Sequence, residues 1–146
     1  MLHSIKAIVF ASVNSLQLKG TQMNKVVYNA CYGGFTVSLK AIDWLESNCV
    51  DENLREHIKM AKAKSLSSTS TLNDDFLRYT VSDWFCDRRH HKDLVAVVET
   101  LGEEADGPCA KLAIENIDSK QYHIKEYDGI EEVVTPEDNE HWITID

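Results

Sequence analysis

The sequence predicts an α+β fold, an antiparallel sheet with two to four helices packed on one face, and three observations carry that prediction. Apolar residues recur at helical spacing in two segments, led by Leu54, Ile58 and Ala61 and by Leu94, Val97, Val98 and Leu101. Short segments after Ala110 alternate instead and are broken by turn residues, with Asp128-Gly129 between two of them. One apolar segment, Asn24 to Ala30, precedes the helices and supplies a further strand for the same sheet.

Each element follows from its local chemistry. Residues 1–23 read as an N-terminal extension: the apolar run Ala7 to Val13 falls well short of the roughly 18 residues of a membrane span and lacks the small-residue cleavage pattern of a secretory signal. A domain starting at Met23, or a helix or extra strand from Ile5 to Leu18, are both compatible with it. Val26, Val27 and Tyr28 suit a buried strand, and Gly33-Gly34 ends it. Ser38 is a good N-cap for a helix whose inner face carries Ala41, Ile42 and Leu45, with Val37 just ahead of it. A second helix begins at Asp51 or Asn53. It fades into "KSLSSTSTLN", residues 64–73, where hydroxyls compete with the backbone for hydrogen bonds and a loop is expected. "DDFLRYTVSDWF" fits two periods: Leu77, Tyr79 and Val81 alternate, while Phe76, Leu77, Thr80 and Trp84 share a helical face. Lys92 or Asp93 opens the clearest helix, which Asp106-Gly107-Pro108 stops. "AKLAIENI", "QYHIKEY", "IEEVV" and "HWITI" follow as four short strands of a meander, and residues 24–146 make up one domain.

At 146 residues the chain can bury a core without disulfides or metal. Charge is uneven. Residues 1 to 92 hold 12 Lys and Arg against 9 Asp and Glu, net +3, and residues 93 to 146 hold 3 against 15, net −12. The acidic last third repels phosphodiesters and anionic lipid, which argues against general nucleic-acid binding and against a membrane surface. Cys31, Cys49, Cys86 and Cys109 are too widely spaced for a C-x-x-C site, and the adjacent His90 and His91 diverge too far to share one ion, so no metal or cofactor is expected.

Chemistry concentrates at three places. Gly33 and Gly34 let a ligand approach backbone amides near a helix start, which favours an anion, although neither the dinucleotide fingerprint nor the P-loop is present. Cys31, just before that turn, is a candidate nucleophile with His90, His91 or His123 as base and Asp93 as orienter. "CDRRHHKD" offers Arg88 and Arg89 as anion clamps. In "KEYDGIEE", Glu126 and Glu131 face each other as like charges across a hairpin, an arrangement that Arg89 or a bound cation would relieve.

Together, "YNACYGGF" with its Ser-led helix, "RHHKDLVAVVETLGEEADG", "CAKLAIENI" and "YHIKEYDGIEEV" resemble an uncharacterised family of small proteins carried by tailed phages and large DNA viruses. The resemblance runs from Asn24 to Val134. It implies Asn29, Cys31, Tyr32, Gly33, Gly34 and Phe35 as motif positions, then Arg89, then Glu126, Tyr127, Asp128, Gly129 and Glu131. His91 and Lys92 stand where the family has an Asp-Pro helix start, so Asp93 is expected to cap that helix one residue later. The resemblance also favours Met23 as the start of the domain. It implies an accessory protein in the cytoplasm of an infected host cell and brings no reaction with it. The expected role is a binding module for a small anionic or nucleotide-like ligand or a host protein, with Asn29, Cys31, Tyr32, Gly33, Gly34, Arg89, Glu126 and Asp128 as its site. A Cys31-dependent hydrolase or transferase, and a self-assembling homo-oligomer joined through a wet sheet face, are the competing readings.

Overall fold

The hydroxyl of Ser38 decides where the first helix begins. It accepts a hydrogen bond from the Ala41 amide at 3.0 Å, satisfying one of the donors that a helix start leaves unpaired. In the computed structural model, which describes residues 23–66 and 73–139, strand β1 (Asn24–Asn29) leads through the glycine turn to that helix, α1 (Leu39–Asn48). Helices α2 (Glu52–Leu66), α3 (Asn73–Trp84) and α4 (Lys92–Leu101) follow, with a 3-10 turn, Gly102–Ala105, extending α4. Strands β2 (Leu112–Ile117), β3 (His123–Tyr127) and β4 (Ile130–Val134) complete the α+β fold. The expected extension over residues 1–22, the centre of the Ser/Thr stretch and the "HWITI" strand lie outside the described residues. Among the described residues no helix is long and apolar enough to cross a membrane.

The ambiguous segment is a helix. Leu77, Val81 and Phe85 recur every fourth residue and are buried, whereas Tyr79, which a strand would place beside them, is 66% exposed. The four helices enclose one apolar core with Ile42, Leu45, Leu54, Ile58 and Leu94 at its centre, and Val27 brings β1 onto it.

The sheet departs from the expected single meander. Among the described residues β1 pairs antiparallel with β2, Val26 opposite Glu115, and β3 pairs only with β4, so two separate two-stranded ladders form. The reason lies on the other edge of β1. There the Val27 amide donates to the Arg89 carbonyl at 2.9 Å and the Asn29 amide donates to Glu131 Oε1 at 2.8 Å. A loop carbonyl and a carboxylate occupy the donors that β4 would need, and β4 lies beside β1 without joining it. Asp128-Gly129 closes the β3–β4 hairpin as expected, with positive φ at both residues, 50° and 88°.

One cap also differs. His91, not Asp93, caps α4, its Nδ1 accepting from the Asp93 amide at 3.2 Å. Asp93 is buried and reaches the other way, where its two carboxylate oxygens accept from the Val50 and Asp51 amides at 3.0 Å each. A carboxylate so placed ties the start of α4 to the α1–α2 turn, and two amides facing it are a better use of a buried charge than one exposed cap.

Candidate functional site

Arg89 and Glu131 organise the region where the three sequence motifs meet. Arg89 follows the turn after α3, Glu131 lies on β4, and their side chains are only 6% and 7% exposed. The guanidinium donates through Nη1 to Oε1 at 2.6 Å and through Nη2 to Oε2 at 2.9 Å, a two-pronged pair, and its carbon lies 3.6 Å over the Phe35 ring. Glu131 therefore neutralises Arg89 while also receiving the Asn29 amide. Glu126, opposite Glu131 in the hairpin register, accepts from the Gly129 amide at 2.8 Å, so both carboxylates have their own donor and the like charges across the hairpin are relieved. Arg89 Nε–H, in contrast, is buried with no acceptor among the described residues.

Asn29 seals the joint from below. It is fully buried, its amide donates to the Cys31 and Gly129 carbonyls at 2.7 Å each, and its carbonyl oxygen accepts from the Lys111 amide at 2.8 Å. The turns then meet without side chains between them: a Cβ on Gly129 would lie 2.5 Å from the amide nitrogens of Gly33 and Gly34. Only glycine allows that approach.

Above this joint lies an open cleft of about 590 Å³. The glycine turn contributes Gly34 and Phe35, the hairpin contributes Glu126, Gly129 and Glu131, and Arg89 closes the floor between them. The opposite wall is helical, with Tyr79, Thr80 and Asp83 of α3 and His57 of α2, and Cys86 stands at its end. His57 Nε2 lies 3.1 Å from the Thr80 carbonyl, an arrangement that places its proton on Nε2. With Arg89 neutralised by Glu131, the cleft is left, among the described residues, with the carboxylates of Asp83 and Glu126 and no free cation. Lysines sit elsewhere, around a separate depression of about 350 Å³ beside β1 that is lined in part by Lys25, Lys120, His90 and Tyr122.

Of the residues expected at a site, Gly34, Arg89 and Glu126 come together on the cleft wall. Asn29 lies beneath it with its polar atoms engaged by the protein, and Gly33 packs on Cys109. Tyr32 is 64% exposed and is not part of the lining, and Asp128 serves the hairpin turn. Cys31 donates its thiol to the Cys109 carbonyl at 3.2 Å. Of the histidines proposed as its base, His90 is engaged with the Tyr122 hydroxyl at 2.7 Å and His91 with Asp51 at 3.0 Å, while His123 is exposed at the start of β3. The cysteine in the cleft is Cys86, whose thiol burial pushes up in pKa, with Asp83 adding to the shift, so it is held in its protonated, weakly nucleophilic form.

Sequence reading missed Tyr79, Asp83 and Cys86. Tyr79 and Asp83, four residues apart, share a face of α3 once it is recognised as a helix, and Cys86 follows in the turn after it. Comparison of the chain with family models, with curated proteins and with solved structures returns no match.

Proposed function

We propose that the protein is a binding module for a small nucleoside-like ligand, an aromatic ring carrying both hydrogen-bond acceptors and amine donors. The cleft lining carries this reading: with Arg89 held by Glu131, it sets the carboxylates of Asp83 and Glu126 beside the exposed ring of Tyr79. Asp83 and Glu126 supply acceptors for amine groups, and Tyr79, largely exposed on the rim, supplies a face for the ring. The charge of the cleft favours a nucleoside over a nucleotide, since among the described residues a phosphate would meet two carboxylates and no free cation. The motif resemblance supports a setting among viral accessory proteins in the cytoplasm of an infected cell.

Thermal melting with adenosine, cytidine and guanosine, beside their monophosphates, tests the reading. An amine-bearing nucleoside at a hundred times its Kd is expected to stabilise the fold by about 2.7 kcal/mol. Asp83→Asn should weaken that effect without lowering the melting point of the free protein. Failure of every nucleoside to move the transition at millimolar concentration, or a response that Asp83→Asn leaves unchanged, overturns it.

A further inference from the structure

Two cysteines that the cleft does not use lie on touching turns. Cys31 is partly exposed and directs its thiol at the carbonyl of Cys109, 3.2 Å away. Cys109 is exposed, and its backbone is held at φ 63°, a left-handed conformation uncommon for a residue with a side chain. The turns meet backbone to backbone: a Cβ on Gly33 would lie 2.7 Å from the Cys109 Cβ and 2.2 Å from its carbonyl oxygen. Disulfides need Cβ atoms about 3.5–4.5 Å apart. The Cys31 sulfur already touches the residue that carries the second thiol, and Gly33 and Gly34 lie just beyond Cys31 to absorb a small adjustment of the turn. The remaining cysteines are placed otherwise. Cys49 is 2% exposed with its sulfur on the Asp51 carbonyl, and Cys86 sits on the cleft wall against Asp83.

We propose that Cys31 and Cys109 are an oxidisable pair, closed to an intramolecular disulfide by small-molecule disulfides of the glutathione class, and that closure ties the glycine turn, and with it the Gly34 wall of the cleft, to the segment before β2. The more exposed Cys109 reacts first. Its thiolate attacks one sulfur of oxidised glutathione, the S–S bond breaks, and one glutathione leaves as a thiolate that takes up a proton. Cys31, deprotonated in turn, attacks Cys109 Sγ in the mixed disulfide, and the second glutathione departs and is protonated. Two protein thiols are oxidised, one glutathione disulfide is reduced to two thiols, and the protons lost by the cysteines equal those gained by the leaving groups.

The test uses the full chain, incubated with excess oxidised glutathione, quenched with an alkylating agent, digested and mapped by mass spectrometry. The expected product is a Cys31–Cys109 linked peptide in a monomer two hydrogen atoms lighter, reversed by dithiothreitol, with Cys49 and Cys86 alkylated. Cys31→Ser should leave glutathione stably attached to Cys109, and Cys109→Ser should abolish the link. Glutathione persisting on both thiols without a link, a link through Cys86 or between chains, or no reaction at either thiol overturns the proposal.

Discussion

Gly129, Gly33 and Gly34 all hold positive φ, yet they meet different surroundings, and substitution should separate strain from collision. At Gly34 a Cβ finds nothing within 4 Å, so Gly34→Ala is expected to cost only the left-handed backbone strain, about 1–2 kcal/mol. At Gly129 the same Cβ would strike two amide nitrogens at 2.5 Å, and Gly129→Ala should cost about 2–4 kcal/mol, because backbone cannot yield as a flexible side chain can. Urea titration of the two variants checks the order; equal losses would mean that the turns are not packed as described. Asp51 makes a second prediction at this scale. His91 accepts from Asp93 through Nδ1, which leaves its Nε2 proton for Asp51 at 3.0 Å, and that hydrogen bond is the main cause holding the Asp51 carboxyl below the usual range. A carboxyl with a depressed folded pKa contributes stability that is present above its unfolded value, about 3.9, and is lost as pH falls through the folded value. Denaturation midpoints measured between about pH 5 and pH 2 should therefore fall less steeply in Asp51→Asn than in the parent.

Among the elements, the contact that matters most joins β1, the loop before α4 and β4 through Arg89 and Glu131. Removing one partner leaves the other charge buried, and Glu131→Gln or Arg89→Met is expected to destabilise by about 3–5 kcal/mol. The double variant Arg89→Met with Glu131→Leu should be less damaged than the sum of its single changes. It should still fall short of the parent, since the Asn29 amide loses its acceptor, a cost of about 1–3 kcal/mol. A double-mutant cycle by chemical denaturation measures the coupling; strict additivity would show that the pair is not a unit. Helix α3 shows why this scale was only partly legible. Its sequence satisfies both periods, and only the tertiary core, by burying Leu77, Val81 and Phe85 while leaving Tyr79 outside, selects the helix.

Across the whole molecule the chain crosses itself. β1 near the start pairs with β2 near residue 112, and Asn29 is held by Lys111, Gly129 and Glu131 at once. Helices and hairpin should consequently unfold together, with far-UV circular dichroism and tryptophan fluorescence giving one coincident transition. In Glu131→Gln the hairpin should loosen from β1, and amide exchange in β3 and β4 should quicken more than exchange in α1 or α4. Uniform quickening would assign Glu131 a general rather than a local role.

By itself the sequence determined the fold class, the Ser38 cap, the Asp128-Gly129 hairpin, and the apolar stripes of α2 and α4. These are local periodicities and turn preferences, and neighbouring residues suffice to express them. Only the tertiary structure decided that Glu131 and not Glu126 takes the guanidinium, that β1 joins β2 and not β4, and that Tyr79 and Asp83 face the glycine turn across a cleft. Those outcomes depend on which of several similar groups is carried into a buried position by segments far apart in the chain, where desolvation makes a single pairing favourable and excludes the rest.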